Sequence, residues 1–205
     1  MPVFREIEGA TPIHDASGLK IKITSLEQLY DAEAQNIAKA MLKYLAGKPS
    51  RRSASFDVSW SLKLHREMFY DVWKWAGQIR TSNLNMGVSV YQIQEELLKL
   101  FADLKCWQDT GMDLLEQAVR LHHRAVSIHP FVNGNGRWSR MLGNIWLKQN
   151  NNSPTLWPAE MNRESSIRLD YIKAVREADK GNITPLLEMH RKFEQDVYGS
   201  GKRWY

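Results

Sequence analysis

One stretch of the chain concentrates residues that could do chemistry: Ser127-Ile128-His129-Pro130-Phe131-Val132-Asn133-Gly134-Asn135-Gly136-Arg137-Trp138-Ser139-Arg140. Upstream of it, Leu115, Ala118, His122 and Ala125 recur at the spacing of one side of a helix. That face runs out at His129, and Pro130 sets His129 at or just past the helix boundary, because the residue before a proline is disfavoured in helical backbone. Gly134 and Gly136 open dihedrals closed to other residues and let the main chain approach a ligand closely. A helix beginning there points its first N–H groups back into the turn, which makes an anion site. Arg137 and Arg140 lie three residues apart on that helix and project from neighbouring positions. Their guanidinium groups supply fixed charge and bidentate hydrogen bonds, which suit phosphate. An imidazole at the rim, with an ordinary pKa of about 6.5, accepts a proton near neutral pH. The combination is a polyphosphate site with His129 beside it as a general base.

Other readings of the same residues fail on detail. Gly134-Asn135-Gly136-Arg137-Trp138-Ser139 lacks the third small position of a dinucleotide fingerprint, and no strand precedes it. There is no Walker A sequence. His122, His123 and His129 do not have zincin spacing, and Cys106, the single cysteine, forms neither an internal disulfide nor a thiolate metal cluster.

Holding such a turn in place requires helices, and the pattern is mainly helical. Ser25 before Leu26-Glu27-Gln28 is an N-cap and capping-box signature, and the helical pattern runs on to about Leu45, ended by Gly47-Lys48-Pro49-Ser50. Further helices are predicted over Phe56–Tyr70, Tyr91–Trp107, Asp113–Ile128, from the glycine turn to about Gln149, Arg163–Asp179 and Thr184–Tyr198. Between Ala76-Gly77 and Tyr91 the composition changes. Ile79–Leu84 and Val88–Val90 are strand-like around Asn85-Met86-Gly87, which predicts a short β-hairpin leaning on the helices. A flap of that kind, with one free edge, receives an incoming peptide by strand addition.

At 205 residues, 43% hydrophobic and 25% charged, the chain fits one domain with a substantial core rather than a disordered polymer. No apolar run reaches the roughly 18–20 residues that span a membrane, and Met1–Glu8 lacks the apolar core of a secretory signal. A soluble cytoplasmic protein with no membrane partner is therefore expected. The net charge of +5 favours anionic partners, but no zinc-finger spacing, basic arm or RNP-like stretch points to nucleic acid. The eight tryptophans are scattered and are expected in the core or in groove walls.

His129 to Arg140 resembles the signature of the Fic family (Fic/Doc), H-P-F-x-[D/E]-G-N-G-R-x-x-R, with one departure: Asn133 stands at the acidic position. Trp75-Ala76-Gly77-Gln78-Ile79-Arg80 resembles the segment leading into the family's flap. Arg168–Ala174 with Ala178–Asn182 resembles its C-terminal helix pair. His122–Val126 and Glu33-Ala34-Gln35-Asn36-Ile37 resemble the bacterial subgroup called mobile mystery protein B. The resemblance covers most of the chain from residue 20 to 190.

It implies a single mainly α Fic-type domain over residues 1–205, with an N-terminal extension and helix over 1–50, a core over about 56–190, and a β-hairpin flap over 76–91 beside the active loop. It implies an adenylyltransferase (AMPylator) that moves AMP from ATP to Ser, Thr or Tyr of an unidentified target protein. In that scheme His129 is the base. Gly134, Asn135 and Gly136 hold the diphosphate, Arg137 contacts phosphate and Arg140 takes the γ-phosphate. Phe131 faces the core and fixes the loop. The flap residues Ile79, Arg80, Thr81, Ser82, Val88, Ser89 and Val90 dock the target. Mg²⁺ or Mn²⁺ accompanies the nucleotide, with residue 133 as the metal position, and Asn133 is a weaker ligand there than a carboxylate.

Alternatives left open are transfer of UMP or phosphate, removal of AMP, or a nucleotide-binding, toxin–antitoxin-like interaction protein with little turnover. An antitoxin-like regulator and self-association are left open with it. Many family members silence themselves through a helix bearing [S/T]-x-x-x-E-[G/N], whose glutamate pairs with the second arginine. Glu33 is the inhibitory candidate here. Leu29 and Ala34 break the motif on both sides of it, so the plainer expectation is a solvent-facing helical glutamate.

Overall fold

The computed structural model describes residues 17–162 and 164–194. Helix α1 (Leu26–Leu45) starts where Ser25, in extended backbone, accepts the Gln28 N–H at 3.2 Å, the cap expected from the sequence. Gln28 does not complete a capping box with Ser25. Its Oε1 reaches one residue further back and accepts both the N–H and the hydroxyl of Thr24, at 3.0 and 2.9 Å. Helices α2 (Val58–Phe69) and α4 (Leu114–Ile128) are capped in the same manner by Asp57 and Asp113. Between them lies α3 (Ile93–Asp109). Helix α5 (Asn135–Gln149) follows the glycine turn. A 3₁₀ turn over Ala159–Asn162 leads to α6 (Ser166–Asp179), capped by Ser165, and to α7 (Thr184–Lys192), which carries Pro185 in its first turn.

Helix α5 is the axis of the molecule. It is buried almost all round, which a helix tolerates only at the centre of a packed domain. It lies against α4 so closely that a Cβ on Gly143 would come within 3.2 Å of the Ala118 carbonyl oxygen, and Trp146 Nε1 donates to Gln117 Oε1 across the same contact at 3.1 Å. Helices α1 to α3 close the main core around this pair, with Leu29, Leu64, Phe69, Leu97, Trp138 and Leu142 all sealed from solvent. Glu67 of α2 ties α1 down by accepting from Lys43 Nζ at 2.7 Å and from Tyr44 Oη at 2.9 Å. A smaller core on the other side joins α6 and α7 to α4 through Val119, Met161, Tyr171, Ala174, Ala178 and Leu186. The N-terminus of α5, and with it the glycine turn, is therefore anchored by both cores.

The mainly helical expectation is met by seven α-helices among the described residues. The hairpin over 76–91 is not. Among the described residues, β-type pairing is limited to isolated bridges, Leu19 with Trp73 and Thr155 with Glu194. The two limbs of the 76–91 segment send backbone donors elsewhere: Arg80 N–H to Pro130 O at 2.9 Å, and Val88 N–H to Ile128 O at 3.3 Å. A ladder between the limbs is replaced by pairing with the residues flanking His129. Helix α3 also starts two residues later than expected, at Ile93. Residues 1–16 of the predicted extension, Arg163 at the predicted start of α6, and residues 195–198 of the predicted last helix lie outside the described residues. No helix among the described residues is long and apolar enough to cross a membrane.

Candidate active site

The site begins where α4 stops. His129 is its C-cap and has left-handed backbone (φ 53°, ψ 58°), with its N–H reaching back to Ala125 O at 3.4 Å. A side-chain-bearing residue in that conformation costs on the order of 1–3 kcal/mol unless its surroundings fix it. The following turn supplies the fixing. Phe131 is fully buried, stacked on His65 with ring centroids 3.6 Å apart, and edge-on to Trp138. Asn135 closes the turn in both directions: its Oδ1 accepts the Phe131 N–H at 2.9 Å and its Nδ2 donates to Phe131 O at 2.8 Å. The Asn135 side chain is therefore spent inside the loop, and what this residue offers a ligand is main chain.

The two glycines of the turn have different roles. Gly134 is left-handed (φ 80°), and a Cβ there would sit 2.7 Å from the Phe69 ring and 3.1 Å from His65 Nε2. Gly136 lies inside α5 with ordinary helical backbone, contrary to the expectation of special dihedrals, and a Cβ there would meet only Arg140 Nη1 at 3.5 Å. Gly134→Ala is accordingly expected to destabilise the protein by about 2–4 kcal/mol through strain and overpacking. Gly136→Ala should fold at least as stably as the parent, because alanine favours helix by up to about 1 kcal/mol over glycine, while its methyl group intrudes on the ligand face. Chemical denaturation alongside nucleotide titration checks the pair. Equal stability losses for both would contradict this division.

The N–H groups of Asn135, Gly136 and Arg137 precede the first hydrogen bond of α5, Trp138 N–H to Gly134 O at 2.9 Å, and so form the amide-lined end expected from the sequence. The two arginines diverge. Arg137 lies over the Phe69 ring and pairs through Nη1 with Glu33 Oε2 of α1 at 2.6 Å. Arg140 is nearly buried and points to the other side, its guanidinium 5.5 Å from the ring centre of Tyr171 and 5.8 Å from that of Trp157.

Glu33 is not solvent-facing. It is 2% exposed, and its other oxygen accepts the indole N–H of Trp73 at 2.7 Å. The family motif pairs its glutamate with the second arginine, whereas here the contact is with the first.

Two histidine clusters brace the site. His65 accepts the Gly77 N–H at Nδ1 (2.9 Å), so its Nε2 carries the proton and donates to Asn133 O at 3.0 Å. The imidazole thus links the turn at Gly77 to the glycine loop, and burial holds its pKa down at about 3. Behind Arg140, a polar chain runs from Tyr171 Oη to His122 Nε2 (3.0 Å), from His122 Nδ1 to His190 Nε2 (2.9 Å), and from His190 Nδ1 to Thr155 Oγ1 (2.8 Å). Burial, with the Arg140 charge beside it, lowers His190 to about 3, and burial lowers His122 well below its ordinary value.

The unfolded chain therefore takes up protons at these positions from about pH 6.5 downward while the folded chain does not, and stability falls with pH across that window. At pH 5 each histidine kept neutral costs about 2 kcal/mol of folding stability. Urea midpoints measured between pH 7.5 and 5 should drop steeply, and His190→Gln should flatten the slope. A pH-independent midpoint for the parent would exclude this origin.

His129 itself is 7% exposed, and burial, reinforced by the nearby Arg80 charge, depresses its pKa to about 4. It is therefore neutral at pH 7. Asn133 turns its amide oxygen onto the Gly134 N–H at 2.6 Å, and no cluster of three His, Cys, Asp or Glu side chains forms among the described residues. The protein side chains alone do not fit a magnesium cage, since the ion favours several hard oxygen ligands.

Of the flap residues, Thr81 and Ser82 are exposed and Ser89 half-buried, while Ile79, Val88 and Val90 rest on the main core. Arg80 departs from the docking role given to it: its side chain is 3% exposed and turned inward. His65, Trp73, Tyr171 and His190 were not singled out by sequence reasoning. His65, Tyr171 and His190 lie on otherwise apolar helix faces and Trp73 in the turn after α2, and no local spacing separates them from core residues.

Residues 55–147 match the profile of the Fic/DOC family. A similar curated protein, "Protein adenylyltransferase fic-1" of Caenorhabditis briggsae, is 29% identical over 124 residues, which is 58% of this chain and 23% of that protein. "Protein adenylyltransferase Fic" of Drosophila grimshawi is 28% identical over 131 residues, 62% of this chain and 26% of its own length. The chain thus spans about a quarter of the length of these relatives. Among solved structures, Fic-1 (residues 134–508) of C. elegans superposes with a TM-score of 0.66 at 24% identity, covering 84% of this chain and 50% of that one. BepC of Bartonella tribocorum, solved with bound AMPPNP, superposes with a TM-score of 0.65 at 20% identity, covering 92% of this chain and 95% of that one. These likenesses show a shared fold, and residues 55–147 carry the match to the Fic/DOC family.

Proposed function

We propose that the protein is a Fic-type adenylyltransferase that moves AMP from ATP to a Ser, Thr or Tyr hydroxyl of a target protein. The observation that carries this reading is the adjacency of a neutral histidine at the end of α4 to the amide-lined, doubly arginine-flanked start of α5, across one rigid six-residue turn. The similar worm and fly proteins are protein adenylyltransferases, which supports it.

His129 takes the hydroxyl proton as the oxygen attacks the α-phosphorus. The bond from that phosphorus to the bridging oxygen breaks, and pyrophosphate leaves. Main-chain N–H groups of residues 134–137 and the Arg137 guanidinium hold the departing diphosphate, with Arg140 behind them at the γ-phosphate. Polyphosphate charge beside the imidazole raises its pKa from about 4 toward the working pH. A Mg²⁺ or Mn²⁺ ion travelling with ATP would be held by phosphate oxygens, to which Asn133 adds at most one neutral ligand. The exposed part of the 81–87 segment is the surface on which a target strand lies.

Incubation with ATP labelled at the α- or the γ-phosphate, with a cell lysate as acceptor, tests the reading. α-Label on protein is the expected result. γ-Label alone would mean phosphorylation, and nucleotide binding with neither label would mean a module without turnover. γ-Label alone in the parent, or neither label in both the parent and Glu33→Gln, which releases Arg137 from its pair with Glu33, would overturn the proposal.

A further inference from the structure

The guanidinium of Arg80 binds three main-chain carbonyls and no carboxylate among the described residues. Its Nε donates to His129 O at 2.8 Å, Nη1 to Ser82 O at 2.9 Å, and Nη2 to Val88 O. Ser82 belongs to the first limb of the 76–91 segment and Val88 to the second, so a single side chain gathers both limbs onto the carbonyl of His129. Two main-chain contacts flank this knot, Arg80 N–H to Pro130 O and Val88 N–H to Ile128 O. Gly87 completes it: at φ 89° its backbone lies so near His129 that a Cβ would fall 2.5 Å from the histidine Cβ.

The carbonyl that Arg80 captures belongs to a left-handed residue at the end of α4, so it has left the helical ladder and needs another donor. A planar five-donor fork supplies this and reaches both limbs at once, which the point charge of a lysine cannot do.

We infer that Arg80 is a positioning residue: it locks the backbone of His129 and, through the same guanidinium, sets the height of the 81–87 segment above the histidine. The inference rests on the reading of His129 as the base. In this role Arg80 needs no contact with nucleotide or acceptor, since its donors are taken up by main-chain carbonyls. It acts through His129, and through the gap that an acceptor strand must fit.

The variants are Arg80→Lys, which keeps the charge and loses the fork, and Gly87→Ala, which keeps the fork but lifts the second limb, its methyl group falling 2.5 Å from His129 Cβ and 3.0 Å from Arg80 Nη2. Amide hydrogen exchange of the full chain is read at Val88 and at residue 80. Both amides should exchange at least about tenfold faster in Arg80→Lys, because the two limbs that carry them are no longer tied to the His129 carbonyl that lies between their acceptors, Ile128 O and Pro130 O. ATP affinity by calorimetry should stay near the parent value in both variants, since the α5 amides and Arg137 do not bond to Arg80. The turnover number for AMP transfer should fall by about 10- to 100-fold, as expected for a misplaced base, with the KM for ATP little changed.

Unchanged exchange at Val88 in Arg80→Lys would overturn the lock. Faster exchange with parental turnover would overturn the positioning role, and a parallel loss of ATP affinity would reduce Arg80 to a residue needed for folding. A parent that transfers no AMP removes the base reading and the positioning role with it. Exchange in the same samples still reports whether Arg80 holds the segment, so failure of the function and failure of the lock remain distinguishable.

Discussion

Replacing His129 by alanine is expected to lower AMP transfer by about 10²- to 10⁴-fold, the usual contribution of a positioned general base, while ATP still binds. In the proposed scheme the phosphate cradle is the start of α5 with Arg137 and Arg140, and the imidazole brings no positive charge to the incoming nucleotide, because burial and the Arg80 charge hold its pKa at about 4 until polyphosphate lies beside it. Removing a neutral ring therefore subtracts proton acceptance without subtracting anion attraction. Alanine at φ 53° brings a backbone cost of its own, which would confuse loss of the base with loss of the turn. His129→Asn controls for this, since asparagine tolerates left-handed backbone and cannot serve as the base. Both variants should retain ATP affinity by calorimetry and the parent's thermal transition to within a few degrees. Transfer near the parental rate by His129→Asn would remove His129 from the mechanism, whatever the alanine variant did.

What the sequence makes legible is what is contiguous or local. The glycine loop is readable because its base, amide donors and arginines fall within twelve consecutive residues. Helix α1 is readable because its cap, Ser25, is adjacent to it. Partners far apart in sequence are not readable in this way. Glu33 meets Trp73 and Arg137, which lie 40 and 104 positions away, and nothing local requires either contact. A signal for its burial did exist. Leu29, Glu33, Asn36, Ala40 and Tyr44 recur at helical spacing, and the whole stripe is buried, so a charge in phase with the apolar face pointed to a buried partner.

The flap failed for a different reason. Strand-like composition in Ile79–Leu84 and Val88–Val90 describes residues that suit a half-buried extended chain, and Ile79, Leu84 and Val88–Val90 are half-buried here. Their hydrogen bonds go to residues 128 and 130 and to one guanidinium, a choice made by tertiary packing that composition does not record. Arg80, placed by resemblance on a docking surface, is where that packing is decided.

Glu33→Gln is expected to move stability and activity in opposite directions. In the parent, Glu33 Oε2 holds Arg137 at 2.6 Å while Oε1 accepts the Trp73 indole N–H at 2.7 Å. Glutamine keeps a carbonyl oxygen for the buried indole and gives up the charge that competes with phosphate for Arg137. A hydrogen bond to a charged group contributes about 1.5–3 kcal/mol, so folding stability should fall by about that amount. An arginine no longer engaged within the protein binds phosphate without first breaking that pair. The same free energy then returns as ATP affinity, about 10- to 100-fold tighter, with transfer rising at subsaturating ATP. Glu33→Leu is the sharper but less clean variant, because it also leaves the Trp73 N–H buried without an acceptor, at a further cost of about 1–3 kcal/mol.

Three readouts on the glutamine variant separate the readings of this residue: the urea midpoint, ATP affinity, and α-label transfer. Lower stability with unchanged affinity would make Glu33 a structural strut for Trp73 and Arg137 and nothing more. Lower stability with higher affinity and transfer makes the pair a brake that α1 applies to the phosphate site. The contact falls on Arg137 rather than Arg140, so such a brake would weaken capture of the nucleotide as a whole and not only the seat of its γ-phosphate. The gain should therefore appear for ADP as well as for ATP. A gain confined to ATP would instead place the competition at the γ-phosphate, and would show that Glu33 acts through Arg140.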